Sequence, residues 1–290
     1  PGCRVDRACG ERGEEAEEGE GESGPAHDGH NSNIEIDCGG MMDSTLPSRP
    51  MIRRRFAVRL LVALLVLPWF PQSGYGQGPL ADGDAAEVRE AVDGDTVILA
   101  DGREVRLVGL QAPKLALGRK NFKDWPLAEE SKRAMAALAQ GKRVTLHTGG
   151  TRLDRHGRAL AHLTRDDGLW IQGEMLRLGM ARVYTFPDNR ARAAEMYALE
   201  AEARAAKRGI WAHPFYAVRA SEVLKGDIDT FQVVAGTVVE AAAVKGTVFL
   251  NFGPDWRTDF TLTIDPESRK RFAAAGIAIA SYAGRRVRAR

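Results

Sequence analysis

Asp93 and Asp95 bracket a glycine in VDGDTV, and eleven residues beyond Asp95 an arginine, Arg106, stands inside the alternating run EVRLVGL. A turn centred on glycine can aim two carboxylates and a backbone carbonyl at one point. Such an oxygen cluster suits a hard divalent cation such as Ca²⁺. Asp and Gly are also ordinary turn formers, so the turn alone fits either reading. Arg106 has Val105 and Leu107 pointing the opposite way, and it is either one half of a salt bridge or a clamp for a phosphoryl group. Arg158 closes a second polar turn, DRHGR. Two guanidinium groups meeting on one phosphoryl group would stabilise its developing charge through bidentate bonds. Two structural ion pairs would use the same residues.

The elements that must hold these groups follow from hydrophobic period and turn chemistry. Strands are expected at Ala86–Val92, Thr96–Ala100 and Glu104–Leu110, with Asp101–Gly102 as a hairpin turn. Gly109 leaves room for a close approach. Residues 111–126 read as a loop carrying Pro113, Gly118 and Pro126, and Leu127–Ala139 has helical spacing. Strands at Arg143–His147 and Ala159–Thr164 flank the turn GGTRLDRHGR. Ile171–Leu178 reads as a short helix closed by Gly179, and Ala191–Lys207 as a long one closed by Gly209. This order predicts a small five-stranded antiparallel barrel with packed helices rather than a βαβ sheet. Residues 214–230 read as a connection. Phe231–Val239, Thr247–Phe252 and Phe260–Ile264 then open a second small β domain over 231–290. Arg269–Ala275 is its short helix, and the closing GRRVRAR reads as a strand lacking its continuation, so this domain is expected to be incomplete.

The chain ahead of residue 79 has a different character. Residues 1–50 hold Cys3, Cys9 and Cys38 and the run ERGEEAEEGEGESG, which has no apolar period. They are expected to form a disordered acidic leader ahead of the true start, for which Met41, Met42 and Met51 are candidates. Residues 51–78 place Arg53–Arg55 before a short apolar run and then small residues, the order of a cleavable signal peptide. The expectation is export to the periplasm or beyond, with no membrane attachment after cleavage. From Pro79 onward there are 33 Lys and Arg against 27 Asp and Glu and no cysteine. That excludes disulfide and thiol chemistry there and permits a polyanionic partner.

Taken in order, VDGDTV, VRLVGLQAP, DRHGRALAHL, LGMARVY and AEARAAKRGIW resemble the staphylococcal nuclease, or thermonuclease-like, family over about residues 88–212. The resemblance implies an OB-fold barrel for residues 79–213 and a Ca²⁺-dependent phosphodiesterase, an endonuclease acting on DNA or RNA. It assigns metal binding to Asp95 and the neighbouring acidic position to Asp93. Arg106 and Arg158 become the two catalytic arginines. The loop departs from the pattern. Where active members read Asp-Thr-Pro-Glu, this chain has Gln111–Ala112–Pro113–Lys114. A metal-binding aspartate is thus replaced by Gln111 and the general-base glutamate by Lys114. Exchanging two carboxylates for an amide and an ammonium raises the local charge by about 3, close to where an ion would sit. An ammonium is no base at neutral pH unless its pKa falls by several units, and loss of general-base action costs roughly 10²–10⁴-fold in rate.

Three function classes remain open. His156, Glu129 with Glu130, and Asp124 are candidate bases or ligands for a compensated metal-assisted hydrolase. Alternatively Arg106, Lys114 and Arg158 form a positive pocket that holds DNA, RNA or another phosphate without cutting it. In the third class the barrels serve protein contacts as an envelope adaptor. Trp125, Trp170 and Trp211 either stack bases or pack the rim. Phe252, Trp256 and Phe260, beside Arg257, either present aromatics or seal the second domain.

Overall fold

The computed structural model describes residues 34–36, 80–224, 226, 227 and 230–290. The expected leader, apart from 34–36, and the expected signal peptide lie outside the described residues. No described helix is long and apolar enough to cross a membrane.

A three-residue strand, β1 (Ile34–Ile36), is followed by β2 (Ala81–Ala91), β3 (Thr96–Leu99), β4 (Glu104–Leu107), β5 (Gly109–Gln111) and helix α1 (Ala128–Ala139). Strands β6 (Arg143–Thr148) and β7 (Ala159–Arg165), helix α2 (Ile171–Arg177), β8 (Arg182–Tyr184) and helix α3 (Ala193–Ala205) complete the first unit. Strands β2, β3, β4, β7 and β6 close into a barrel in that order. The long β2 makes closure possible. Its second half pairs with β3 and its first half with β6, and a register shift within each pairing, at Val88/Glu90 and at Asp82/Ala85, bends it. Alternation then sends Val88, Val97, Leu99, Val105, Leu107, Val144, Leu146, Ala161 and Leu163 inward, and Met135, Ala139, Ile171, Met175 and Leu176 seal that core from the helices. The barrel departs from the antiparallel expectation at one seam. β4 and β7 run parallel, with Arg106 opposite Leu160. Parallel neighbours need a long crossover, here the stretch through α1 and β6.

The run expected as one strand, Glu104–Leu110, breaks at Gly109, whose φ is +80°. A Cβ there would fall 2.6 Å from the end of the Met196 side chain, so glycine lets α3 sit directly on the kink. Beyond it, β5 leaves the barrel and pairs antiparallel with β8, Gln111 opposite Arg182. β8 was not visible in the alternation, being three residues long.

The remainder comprises β9 (Arg219–Ala220), β10 (Val234–Thr237), β11 (Glu240–Val244), β12 (Thr247–Asn251), β13 (Thr261–Ile264), helix α4 (Pro266–Ala274) and β14 (Arg286–Ala289). Strands β11–β12–β13 form one antiparallel sheet, and β1–β14–β10–β9 form another. The closing strand, expected to lack its continuation, therefore lies between β1 and β10. Val238, Val248, Leu250, Phe252, Leu262, Ile264, Ile279, Tyr282 and Val287 form a separate core. Within the stretch read as a connection, Tyr216 is buried and donates its hydroxyl to the Pro126 carbonyl at 2.6 Å.

Candidate functional site

The DGD turn between β2 and β3 packs under α1 and against the loop that follows β5. A Cβ on Gly94 would lie 1.9 Å from Ser131 Oγ and 2.6 Å from Ala112 Cβ, so glycine is what allows the turn to sit this deep. Asp95 is consequently 0% exposed and Asp93 nearly so. Asp93 Oδ1 accepts the Asp95 N–H at 2.9 Å, which closes the turn on itself.

A buried carboxylate needs compensation, and Asp95 is surrounded by it. Arg106 forms an ion pair with Oδ1. The Lys114 ammonium donates to both oxygens, at 2.9 Å to Oδ2 and 3.2 Å to Oδ1. The Ala112 N–H donates to Oδ2 at 2.6 Å, and Thr96 Oγ1 reaches Oδ1 at 3.3 Å. Burial pushes the Asp95 carboxyl up, but the Arg106 and Lys114 charges and the Ala112 N–H outweigh it and hold the group below the usual carboxylate range. Asp93 goes the other way. Burial and the neighbouring Asp95 charge push it up to about 6.

Arg106 is held by more than its acid. Its Nη1 donates to the Asp95 carbonyl at 3.0 Å and its Nη2 to the Leu110 carbonyl at 2.7 Å. Arg158 belongs to a different cluster. Its Nε donates to Asp154 Oδ2 at 2.7 Å, and Nη1 lies 3.7 Å from Glu104. Asp154 also accepts the N–H groups of His156 and Arg158, so the DRHGR turn is built around that one acid. Glu104 and Arg106 share a face of β4, two residues apart, which puts the two arginines on one side of the barrel, each engaged by its own carboxylate.

The departed loop positions are also occupied. Gln111 Oε1 accepts from Arg182 Nη2 at 2.7 Å, as the β5–β8 register dictates. Arg182 is buried against Phe231, Tyr216 and Trp125, with its guanidinium 4.5 Å from the Phe231 ring centroid, and burial pulls its pKa down to about 10. Among the candidate compensating groups, Asp124 accepts the Ala116 N–H at 2.6 Å and closes its own loop. His156 Nε2 accepts from Arg155, and Glu129 is exposed in the first turn of α1 beside Glu130, which pairs with Arg133. Of the tryptophans, Trp211 is buried in a small core, Trp170 lies under the Arg192 guanidinium, and Trp256 is exposed with Arg257 on its ring.

A Ca²⁺ ion wants six to eight oxygen ligands. Ionised carboxylate oxygens offer about four lone-pair sites, and on Asp95 these already meet two cations, an N–H and a hydroxyl. Gln111 is turned to Arg182 and Asp93 to the turn backbone. Among the described residues no three His, Cys, Asp or Glu side chains are grouped to share a metal ion. The donor set present does not fit the divalent cation that the resemblance implies.

Reasoning from sequence missed two participants. Arg182 lies in LGMARVY, and its place opposite Gln111 depends on the unforeseen β8. Glu200, fully buried in α3, accepts the Val183 N–H at 2.6 Å and is paired with Arg204 and Arg290. Its i,i+4 spacing to Arg204 was the available signal.

The family profile described as staphylococcal nuclease homologue matches residues 104–213. A probable staphylococcal-like nuclease, CAN1, of Oryza sativa subsp. japonica is 30% identical over 140 residues, which is 48% of this chain and 34% of that protein. The chain thus spans about a third of that relative's length. An uncharacterized endonuclease of Escherichia coli O157:H7 is 32% identical over 134 residues, covering 43% of this chain and 74% of the relative, and protein ParB of Escherichia coli is 32% identical over 139 residues, covering 44% and 72%. With a closed barrel of the expected kind, the ordered motifs and a relative covered over most of its length, the chain belongs to the staphylococcal nuclease homologue family.

Proposed function

We propose that this chain is an exported nuclease-family module that holds the phosphate backbone of a nucleic acid without metal-assisted cleavage. The observation that carries the reading is the Lys114 ammonium on both oxygens of Asp95, which spends the acid a cleaving site would need for its ion. Beyond Lys114 the loop continues through Arg119, Lys120 and Lys123 with Asp124 as its single acid, three cations against one. Lys120 and Lys123 are exposed, and Arg119 lies 3.8 Å over the Phe122 ring centroid, which presents a flat cation-aromatic pair beside them. Such a lip attracts polyanions by neutralising phosphates and releasing their counterions. A planar guanidinium on an aromatic ring also tolerates stacked bases. Export rests on the order of residues 51–78, Arg53–Arg55 ahead of an apolar run and then small residues, and with it the partner is one met outside the cytoplasm.

The relatives named as nucleases favour cleavage, so one assay decides. The full chain is titrated into a fluorescent single-stranded oligonucleotide at several salt concentrations, with Ca²⁺ or with chelator, and the products are resolved on a gel. The expected result is binding that weakens with salt, with a log–log slope of about −0.7 per phosphate contacted, identical in Ca²⁺ and chelator, with intact oligonucleotide. The paired change Lys120→Glu, Lys123→Glu weakens it about tenfold or more. Ca²⁺-dependent cleavage, abolished by Arg106→Ala, contradicts the reading.

A further inference from the structure

We infer that Lys114 is the built-in counter-cation of Asp95, a tethered charge in the place of a divalent ion, so that the site is blind to divalent metal as it stands and responds only when position 114 carries a carboxylate instead. The inference rests on the non-cleaving reading above and adds how the site is held and what it would bind once unlocked.

Three features of the site converge on this. First, the carboxylate is fully buried on its glycine turn, so a positive partner is required whatever its source. Arg106 supplies one charge but is committed sideways, to the Asp95 and Leu110 carbonyls as well as to Oδ1. Second, Lys114 bridges both oxygens, as a single cation would, and its side chain is 25% exposed, so the ammonium enters from the solvent side of an otherwise closed acid. Third, the backbone still holds the loop in place for such a partner. Ala112 N–H is fixed on Oδ2 at 2.6 Å, the Lys114 carbonyl accepts the Trp125 N–H at 2.8 Å, and Gln111 is anchored by Arg182. A carboxylate at 114 would start from the same backbone, with Asp93 and Asp95 buried behind it. The chemistry that recognises such a cluster is a hard divalent cation.

The test is thermal unfolding of the full chain, followed by circular dichroism, in chelator and in Ca²⁺ or Mn²⁺ alone. For the wild type the midpoint is the same in all three. Lys114→Glu is expected to unfold at lower temperature in chelator, from like-charge repulsion beside Asp95, and to recover about 3–6 °C in Ca²⁺ well above its dissociation constant. Lys114→Met, which keeps the stem and removes the charge, shows the loss without the recovery. A Lys114→Glu chain that folds only when Ca²⁺ is added supports the inference equally. It is overturned if the wild type gains as much from Ca²⁺ as the variant does. It is also overturned if Lys114→Glu is blind to Ca²⁺ or fails to fold even with it. Oligonucleotide binding plays no part in this readout. A wild type that binds no oligonucleotide therefore sinks the proposed function and leaves the counter-cation inference standing.

Discussion

Asp93 and Asp95 are two residues apart and titrate in opposite directions, because burial and then a like-charged neighbour dominate at Asp93, whereas at Asp95 two cations and an N–H outweigh burial. The signs follow from linkage. Asp93, pushed up to about 6, keeps its proton in the folded chain where the unfolded chain has lost it. Between about pH 4 and 6 folding therefore binds a proton, and this group's contribution declines as pH rises until the penalty is complete above 6. Asp93→Asn can still accept the Asp95 N–H and has no charge to bury. It should raise stability at pH 7 by about 1–3 kcal/mol and have little effect at pH 4, as urea unfolding at the two pH values will show. A drop at pH 7 would mean that the Asp93 charge is used. Asp95 and Glu200 behave conversely. Their depressed pKa values mean stability present above the ordinary carboxylate range and lost as pH falls below that range, through the folded-state values.

Among the elements, the kink at Gly109 decides whether β5 can leave the barrel and carry Gln111 to β8. Gly109→Ala must adopt a left-handed backbone and push against Met196, so a loss of about 2–4 kcal/mol is expected in chemical unfolding. A loss below about 0.5 kcal/mol would show that α3 yields easily. Much at this scale was legible in the chain. Alternation and turn residues located the barrel strands β3, β4, β6 and β7, and apolar period located α1, α2 and α3 to within a residue or two. What period could not show was topology: the parallel β4–β7 seam, the bend of β2 along its register shifts, and β8, too short to alternate. The site divides in the same way. Residue types and order singled out Asp93, Asp95, Arg106, Gln111, Lys114 and Arg158. Which acid each cation would take depends on side-chain reach across the barrel, and sequence carries no record of that. Hence Lys114 on Asp95, and Arg158 on Asp154 and Glu104, emerged only with the fold.

For the molecule as a whole, the second β unit is bound to the nuclease-family unit through a buried charge. The side chain of Arg290, after β14, is 1% exposed and places its two Nη groups on the two oxygens of Glu200, each at 2.7 Å. Glu200 in turn caps the Val183 N–H in β8, next to Arg182 and thus to Gln111. Phe231, at the entry to the second unit, packs edge-to-face with Tyr184 and lies under the Arg182 guanidinium. A path of packed contacts therefore runs from β14 to the loop that bears Lys114. Arg290→Ala leaves Glu200 buried with Arg204 as its remaining arginine and should destabilise the chain by about 3–5 kcal/mol. Hydrogen exchange should rise in α3 and β8 together. Faster exchange confined to β14 would show the two units to be energetically separate.

The most direct measurement is titration of the full-length chain with Mn²⁺, followed by the electron paramagnetic resonance of the free ion. Asp95 already saturated by Lys114 and Arg106 predicts that the wild type and Asp95→Asn leave the same free signal at every Mn²⁺ addition, so that no ion is retained through Asp95. One Mn²⁺ bound per chain, released by Asp95→Asn, would contradict the account at its root.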